Sequence, residues 1–467
     1  MSSREKMEAR EARELEKRRR QLFRKPLKYG LFFAAIAILL AAGIDAITTQ
    51  IGGQLQSSIV TEFFAKPLNL PYNEAVAMFS AVNIISYVIM PIQPFYKALS
   101  DRFGRKPFLA FNIIGMGIGL LLCAWSPNII VYYIGYGIST FMISADMQIV
   151  YLYEVAPQKN RATFYGFVKG TGAFCIVLVP ILRATVMGND STLWRNVYMV
   201  PMVLAFAIAA YILLVPRETE MFLRQRVEYL EQPYEVRHPV KKKEDKSAQK
   251  RQKTGVFVAM KHLFKSRQLF WLTIVGVLFA ICSSTFGSYM ESIMTNFGMT
   301  TADVTTALFM YPFMNMFITW IAGFVSDKLG RKAIIAITGT LAVVGFICFN
   351  LSAFLGASPY LVGFFYGLYL PCWWQAIDFN SMMVAESTPT YNRASALAAT
   401  ALLKMVGQVI GLALPIVAPL LFDQIGFGYM TAVIPFVLVG IILLVWKVKD
   451  TNGVDLNTVE YDEERTE

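Results

Sequence analysis

Twelve apolar runs separated by short polar breaks dominate the chain: 28–56, 74–99, 107–126, 128–152, 160–187, 195–215, 269–293, 303–325, 333–354, 359–385, 393–421 and 427–447. A helix needs about 20 apolar residues to cross the roughly 30 Å hydrocarbon core of a bilayer, and each run is near that length or beyond it. Helix is the expected form because lipid offers no partner to a backbone N–H or C=O, so each segment must satisfy its own. The pattern predicts an all-α membrane protein with twelve transmembrane helices. A longer polar stretch divides the runs six and six. The expected organisation is an N-terminal tail (1–27), an N-terminal six-helix bundle (28–215), a linker (216–268), a C-terminal six-helix bundle (269–447) and an acidic tail (448–467).

Composition agrees: 55% of residues are apolar and 16% charged, too few charges for a soluble chain of this size. The net charge of +11 would suggest nucleic acid until it is located. Cations crowd the first tail (Lys17, Arg18, Arg19, Arg20) and alternate breaks, at Arg102, Arg105 and Lys106, Lys159 and Arg161, Lys241 to Lys243, Lys328, Arg331 and Lys332, and Arg393. The other breaks hold little beyond Lys66 and Arg195. This bias marks the cytoplasmic side. Both termini are therefore expected in the cytoplasm, with the chain multi-pass in the cell membrane, its large partner the lipid bilayer and not nucleic acid. A monomer is expected. The five cysteines sit unpaired in apolar runs, and the only histidines, His238 and His262, lie in the linker. No disulfide framework, metal site or cofactor is implied, and no nucleophile arrangement points to an enzyme. The tail ahead of the first apolar run is too charged, and that run too long, for a cleavable signal.

The two halves repeat each other. Asp101, Arg102, Gly104, Arg105 and Lys106 follow the second run, and Asp327, Lys328, Gly330, Arg331 and Lys332 follow the eighth. Asp146, Glu154, Pro157, Asn160 and Arg161 recur as Asp378, Glu386, Pro389, Asn392 and Arg393, all at one constant offset. Gly104 and Gly330 permit tight reversals between antiparallel helices. The charges beside them suit an ionic lattice with Glu154 and Arg161, and with Glu386 and Arg393, that joins the halves on one side and breaks when that side opens. Ordinary cationic loops with a turn glycine are the simpler reading, but they leave the acids and the repetition unexplained. Duplicated bundles are common in transporters that rock one half against the other.

The paired Asp-(Arg/Lys)-x-Gly-Arg-Lys turns resemble the signature loop of the major facilitator superfamily. Glu-x-x-Pro-x-x-x-Arg at 154–161 and 386–393, Gly43-Ile44-Asp45, and Asp450-Thr451-Asn452-Gly453-Val454-Asp455-Leu456 resemble its sugar porter branch. The resemblance implies two pseudo-symmetric six-helix bundles. The chain departs from that branch where sugar is bound. Lys169 stands at the position of a helix-5 Gln, Ser283-Ser284-Thr285-Phe286-Gly287-Ser288-Tyr289 replaces a Gln- and Asn-bearing helix-7 run, and Ile134 falls where a helix-4 Arg partners the helix-1 Asp.

Five ionisable residues stand out within the runs: Asp45, Asp146, Lys169, Asp378 and Lys404. Each costs roughly 2.5–3.5 kcal/mol at a helix centre unless paired or hydrated. Asp146 and Lys169 each lie about 12 Å in from the cytoplasmic end at 1.5 Å per residue, a depth that suits pairing; Asp378 and Lys404 make a looser pair. Either pair is a fixed structural bridge or part of a water-filled path. Asp45 has lost its family partner and is the candidate for proton coupling, with a satisfied polar core residue as the alternative; a buried carboxylate without a cationic neighbour holds its proton more tightly. Gln50, Gln54, Ser283, Ser284, Tyr289 and Trp374 join Asp146, Lys169, Asp378 and Lys404 as candidate cavity residues. Further polar groups are Asn83, Gln93, Asn112, Gln148, Asn315, Gln375 and Gln408, and Glu291 near the outer end is read as facing water. The expected function is secondary active transport, proton-coupled uptake of a small polar organic solute, sugar-like or carboxylated, by alternating access. A drug or metabolite efflux antiporter is the alternative, and a non-transporting sensor has less to support it, since the tails carry no signalling domain.

Overall fold

The computed structural model describes residues 3–23, 30–86, 92–93, 96, 103–144, 147–155, 161–188, 190–234, 256–388, 393–421, 439–451 and 454. Every regular element among them is helical. The N-terminal half contains α1 (Ser3–Leu22), α2 (Gly30–Gln54), α3 (Tyr72–Ser86), α4 (Arg105–Ala124), α5 (Ile129–Ile143), α6 (Met147–Val155), α7 (Arg161–Phe174), α8 (Trp194–Leu214) and α9 (Glu220–Glu231). After it come α10 (Val256–Lys265), α11 (Arg267–Asn296), α12 (Thr301–Leu308), α13 (Met310–Leu329), α14 (Arg331–Phe354), α15 (Pro359–Glu386) and α16 (Arg393–Leu421). Helix occupies each of the twelve expected runs where residues are described; the last is represented by 439–445.

Six spans among the described residues are individually long and apolar enough to cross a membrane, from Phe32–Gln54 to Arg331–Phe354. Other helices bring charge inward: α15 carries Asp378 to the cavity and α16 carries Lys404. Large apolar side chains such as Phe111, Val203, Leu213, Ile321 and Leu351 remain exposed on the outer faces, as lipid-facing positions require.

Local chemistry sets the helix ends. Gly104 (φ 118°) and Gly330 (φ 92°) turn the chain into α4 and α14 with backbone angles that a side chain would strain. The fifth run is not one uniform helix. Pro180 lacks the N–H that would continue the ladder, and around it the chain passes from α7 through a 3₁₀ turn (Cys175–Val177) and an α turn (Leu178–Leu182) to a π turn, Arg183–Met187. That change of winding re-aims Arg183.

In the N-terminal half α4 packs on α8 and α5, and α7 on α2; in the C-terminal half α14 packs on α15, and α11 on α16. The halves meet where α7 lies on α13, α3 on α16, and α2 on α11. The basic tail is itself a helix docked on α9. Arg226 bonds Glu14 at 3.0 and 3.1 Å, Arg19 pairs with Glu231 at 2.6 Å, and Arg18 reaches the Phe103 carbonyl at 2.9 Å. The exposed Arg19–Glu231 pair contributes about 0–1 kcal/mol.

Candidate functional site

A cavity of about 570 Å³ lies between the halves. Asp45, Gln50, Asn83, Gln93, Tyr136, Gln148, Tyr165 and Lys169 line it from one side, and Tyr311, Asn315, Thr319, Trp374, Gln375, Asp378, Lys404 and Gln408 from the other. It runs toward the side that carries the chain termini, reaching Gln148 and Leu152 of α6. Asp45 is half-buried on its wall, and its carbonyl accepts from Thr49 Oγ1 at 2.8 Å. A run of neutral polar groups crosses from one half to the other. Gln375 Nε2 donates to Thr319 Oγ1 (2.9 Å), Thr319 to Asn315 Oδ1 (3.3 Å), Asn315 Nδ2 to Tyr311 OH (3.3 Å), and Gln50 Nε2 to that same hydroxyl (3.3 Å).

The charged residues pair differently from the sequence expectation. Lys169 Nζ bonds Asp378 Oδ2, across the two halves. Lys404 Nζ donates to Ser381 Oγ at 2.8 Å, so the bonded partner of Asp378 is Lys169. Matched depth on adjacent helices is a weaker constraint than the direct contact between facing bundles, where α7 lies against α13 beside α15. Asp146 lies outside the described residues.

Two further expectations are corrected. Gln54 is fully buried and does not line the cavity; its carbonyl instead accepts from Arg183 Nη1. Glu291 does not face water. It forms a buried pair with Arg183 at 2.8 Å, both side chains 1% exposed, and its other oxygen accepts from Ser57 N at 2.7 Å. Arg183 Nε also donates to Thr305 Oγ1 at 3.2 Å. One guanidinium thus binds the end of α2, α11 and α12, joining the two halves beyond Gly52 and Gly53 of the cavity wall. Of the remaining candidates, Trp374 lines the cavity, while the side chains of Ser283, Ser284 and Tyr289, all on α11, lie outside those described. Ile134, 53% exposed, points away from the cavity, which α5 meets with Tyr132, Tyr136, Ser139 and Thr140.

On the terminal side the bonds seen tie helix ends within each half. In the second half Arg331 pairs with Glu386 at 3.5 Å and donates to Ser326 Oγ at 2.6 Å, Thr451 Oγ1 donates to Glu386 at 2.5 Å, and Asp450 Oδ1 accepts from Arg331 N at 3.1 Å. In the first half Glu218 takes the place of Asp450, accepting from Arg105 N and Lys106 N at 3.0 Å each. Glu218-Thr219 and Asp450-Thr451 are another pair at the offset that relates Glu154 to Glu386. Glu218 thus satisfies N–H groups at the start of α4, and Asp450 one at the start of α14. Burial pushes the Glu218 carboxyl above the usual range, opposed by those N–H groups and by the charge of Arg18. Glu218→Ala is expected to cost about 1–3 kcal/mol by orphaning these donors, readable as a lowered Tm, with Glu218→Gln closer to wild type. An unchanged Tm in the alanine variant would remove the cap from the account. Asp101 and Arg102 lie outside the described residues, as do the side chains of Glu154, Arg161, Asp327 and Arg393.

The family model described as Major Facilitator Superfamily matches residues 31–381. The chain belongs to the major facilitator superfamily. Its two pseudo-symmetric six-helix bundles are those of that superfamily, and it is a multi-pass membrane transporter. Among similar proteins, the glucose transporter GlcP of Staphylococcus epidermidis is 22% identical over 391 residues, covering 79% of this chain and 84% of that one. The class H tetracycline resistance protein of Pasteurella multocida is 29% identical over 153 residues, or 32% of this chain, and the chain spans 36% of that protein's length. The inward-open structure of the xylose transporter XylE from E. coli superposes with a TM-score of 0.65 at 17% identity, over 92% of this chain and 99% of that one. At that identity the likeness shows the superfamily fold alone.

Residues missed by sequence reasoning are mainly aromatic: Tyr132, Tyr136, Tyr165 and Tyr311 all face the cavity. Nothing in the pattern separates a cavity tyrosine from a packing tyrosine. Arg183 was detectable, as an arginine within an apolar run shortly after Pro180.

Proposed function

We propose that this superfamily member is a proton-coupled carrier that takes up a small polar organic solute, sugar-like or carboxylated, by alternating access. The observation that carries the reading is the cavity lined by both halves, and in this reading the buried Arg183–Glu291 pair between the halves closes its outer side. Its volume suits a small ligand. Amides, hydroxyls and aromatic rings supply the mixed polar and apolar wall that a hydrophilic solute needs, and the similarity to a glucose transporter supports the sugar-like option. Residues 28–215 and 269–447 are the bodies that rock, joined by 216–268. Both termini face the cytoplasm of a cell membrane, which the Lys and Arg placement supports. Asp45 carries the proton, and the bonds at Arg331 and Glu386 hold the terminal-side helix ends of the second half together as it moves.

The test is flux of labelled solutes into proteoliposomes under an imposed pH gradient. Accumulation that follows an inward proton gradient, with proton uptake that requires solute, supports the proposal; accumulation indifferent to the gradient counts against coupling. The partial similarity to a tetracycline resistance protein gives efflux a second hearing. Solute extruded against its gradient as protons enter would favour it.

A further inference from the structure

We infer that the cavity selects a solute bearing a carboxylate, held at Lys404 and delivered to Lys169 in exchange for Asp378. This rests on the transport reading above and names the class of solute. Among the described residues the charged side chains on the cavity wall are Asp45, Lys169, Asp378 and Lys404. Three of these meet along two successive turns of α15. Lys169 bonds Asp378, and Lys404 Nζ sits 2.8 Å from Ser381 Oγ, on the next turn of the same helix. Lys169 therefore has a carboxylate partner on α15, while the bonded partner of Lys404 there is a neutral hydroxyl.

Lys404 is built into this position. A Cβ on Gly276 would lie 2.8 Å from Lys404 Cε, so the bare backbone of α11 makes room for the lysine stem. Ser381 Oγ donates its proton to the Ile377 carbonyl at 3.0 Å and so turns a lone pair toward Lys404. A hydroxyl dipole supplies a hydrogen bond but no counter-charge, and an ammonium has three N–H donors to place. A neutral solute leaves Lys404 with a hydroxyl as its bonded partner in a cavity that must close around it. A carboxylate neutralises the ammonium through charge-assisted bonds.

The same geometry links binding to movement. Lys169 belongs to the first half and Asp378 to the second, so their bond is a bridge between the bodies that rock. A solute carboxylate that takes Asp378's place on Lys169 breaks the bridge and changes the relative energies of the conformations, as a transported ligand must.

The experiment measures binding to the purified full-length protein for matched pairs: D-glucuronate and D-glucose, D-gluconate and D-sorbitol, L-lactate and 1,2-propanediol, benzoate and benzyl alcohol. At least one carboxylate should bind about tenfold or more tighter than its neutral partner. Lys404→Met should weaken that carboxylate by about tenfold, and Lys404→Arg should retain most of the affinity. Asp378→Asn should move the other way and tighten carboxylate binding, because the internal competitor is gone. A merely structural bridge would give loss in both variants. Neutral partners binding as well as carboxylates, no carboxylate binding at all, or unchanged binding in Lys404→Met would each overturn the assignment. Flux separates this from failure of the transport reading. A neutral solute carried while its carboxylate is not removes the assignment and leaves transport standing; a carboxylate that binds under the control of Lys404 and Asp378 yet never crosses keeps the assignment and removes transport.

Discussion

Arg183→Met should leave the protein folded but open on the side away from the termini, with solute uptake nearly abolished. The guanidinium and the Glu291 carboxylate are both about 1% exposed, so removing the cation strands a buried anion. Losing one partner of such a pair costs roughly 3–5 kcal/mol. That cost falls on the closed form alone, because water reaches Glu291 once the halves separate there. The equilibrium therefore shifts toward the open form on the order of 10²- to 10³-fold. Glu291→Gln should act in the same direction with a smaller effect, since the amide still accepts from Ser57 N. The double variant removes both charges and should recover much of the lost preference, giving a large coupling energy in the cycle. Thiol labelling of a cysteine placed at Ser57 reads the opening directly. Wild-type uptake and labelling in Arg183→Met would show that the pair is no latch.

Asp45→Asn should abolish accumulation while sparing exchange. One proton per solute lets each unit of pH gradient support about tenfold accumulation, and the asparagine cannot carry that proton. The cavity keeps its other groups, so exchange of labelled for unlabelled solute needs no proton to move and should continue within a few-fold of wild type. Concentrative uptake that survives in Asp45→Asn would take Asp45 out of the mechanism; loss of exchange along with uptake would make it a solute-binding or structural residue instead.

The fold was legible because membrane spans announce themselves by length and apolarity, and because a duplicated chain repeats its turns. The sugar porter resemblance at 154–161, 386–393 and 450–456 pointed to the right superfamily. The charged site was less legible. Lys169, Asp378, Lys404 and Asp45 were marked by the energetic cost of charge in lipid, and all four line the cavity. The Lys169–Asp378 bond was not, since sequence distance favours neighbours in one bundle while this contact joins facing bundles. Glu291 was misread for a related reason: nearness to the end of a run says nothing about whether another helix covers it. Glu218 shows the opposite failure, a signal present in the repeat and passed over, because Glu218 and Asp450 are separated by the same stretch of chain as Glu154 and Glu386.

Paired spin-label distances test alternating access most directly. One pair joins Thr192 to Thr300 on the side of Arg183, and the other joins Lys106 to Lys328 on the terminal side, in a background lacking Cys175 and Cys348. Going from wild type to Arg183→Met, the first distance should lengthen and the second should shorten in the same molecules. Distances that stay fixed, or that lengthen together on both sides, would contradict a cavity reached from one side at a time.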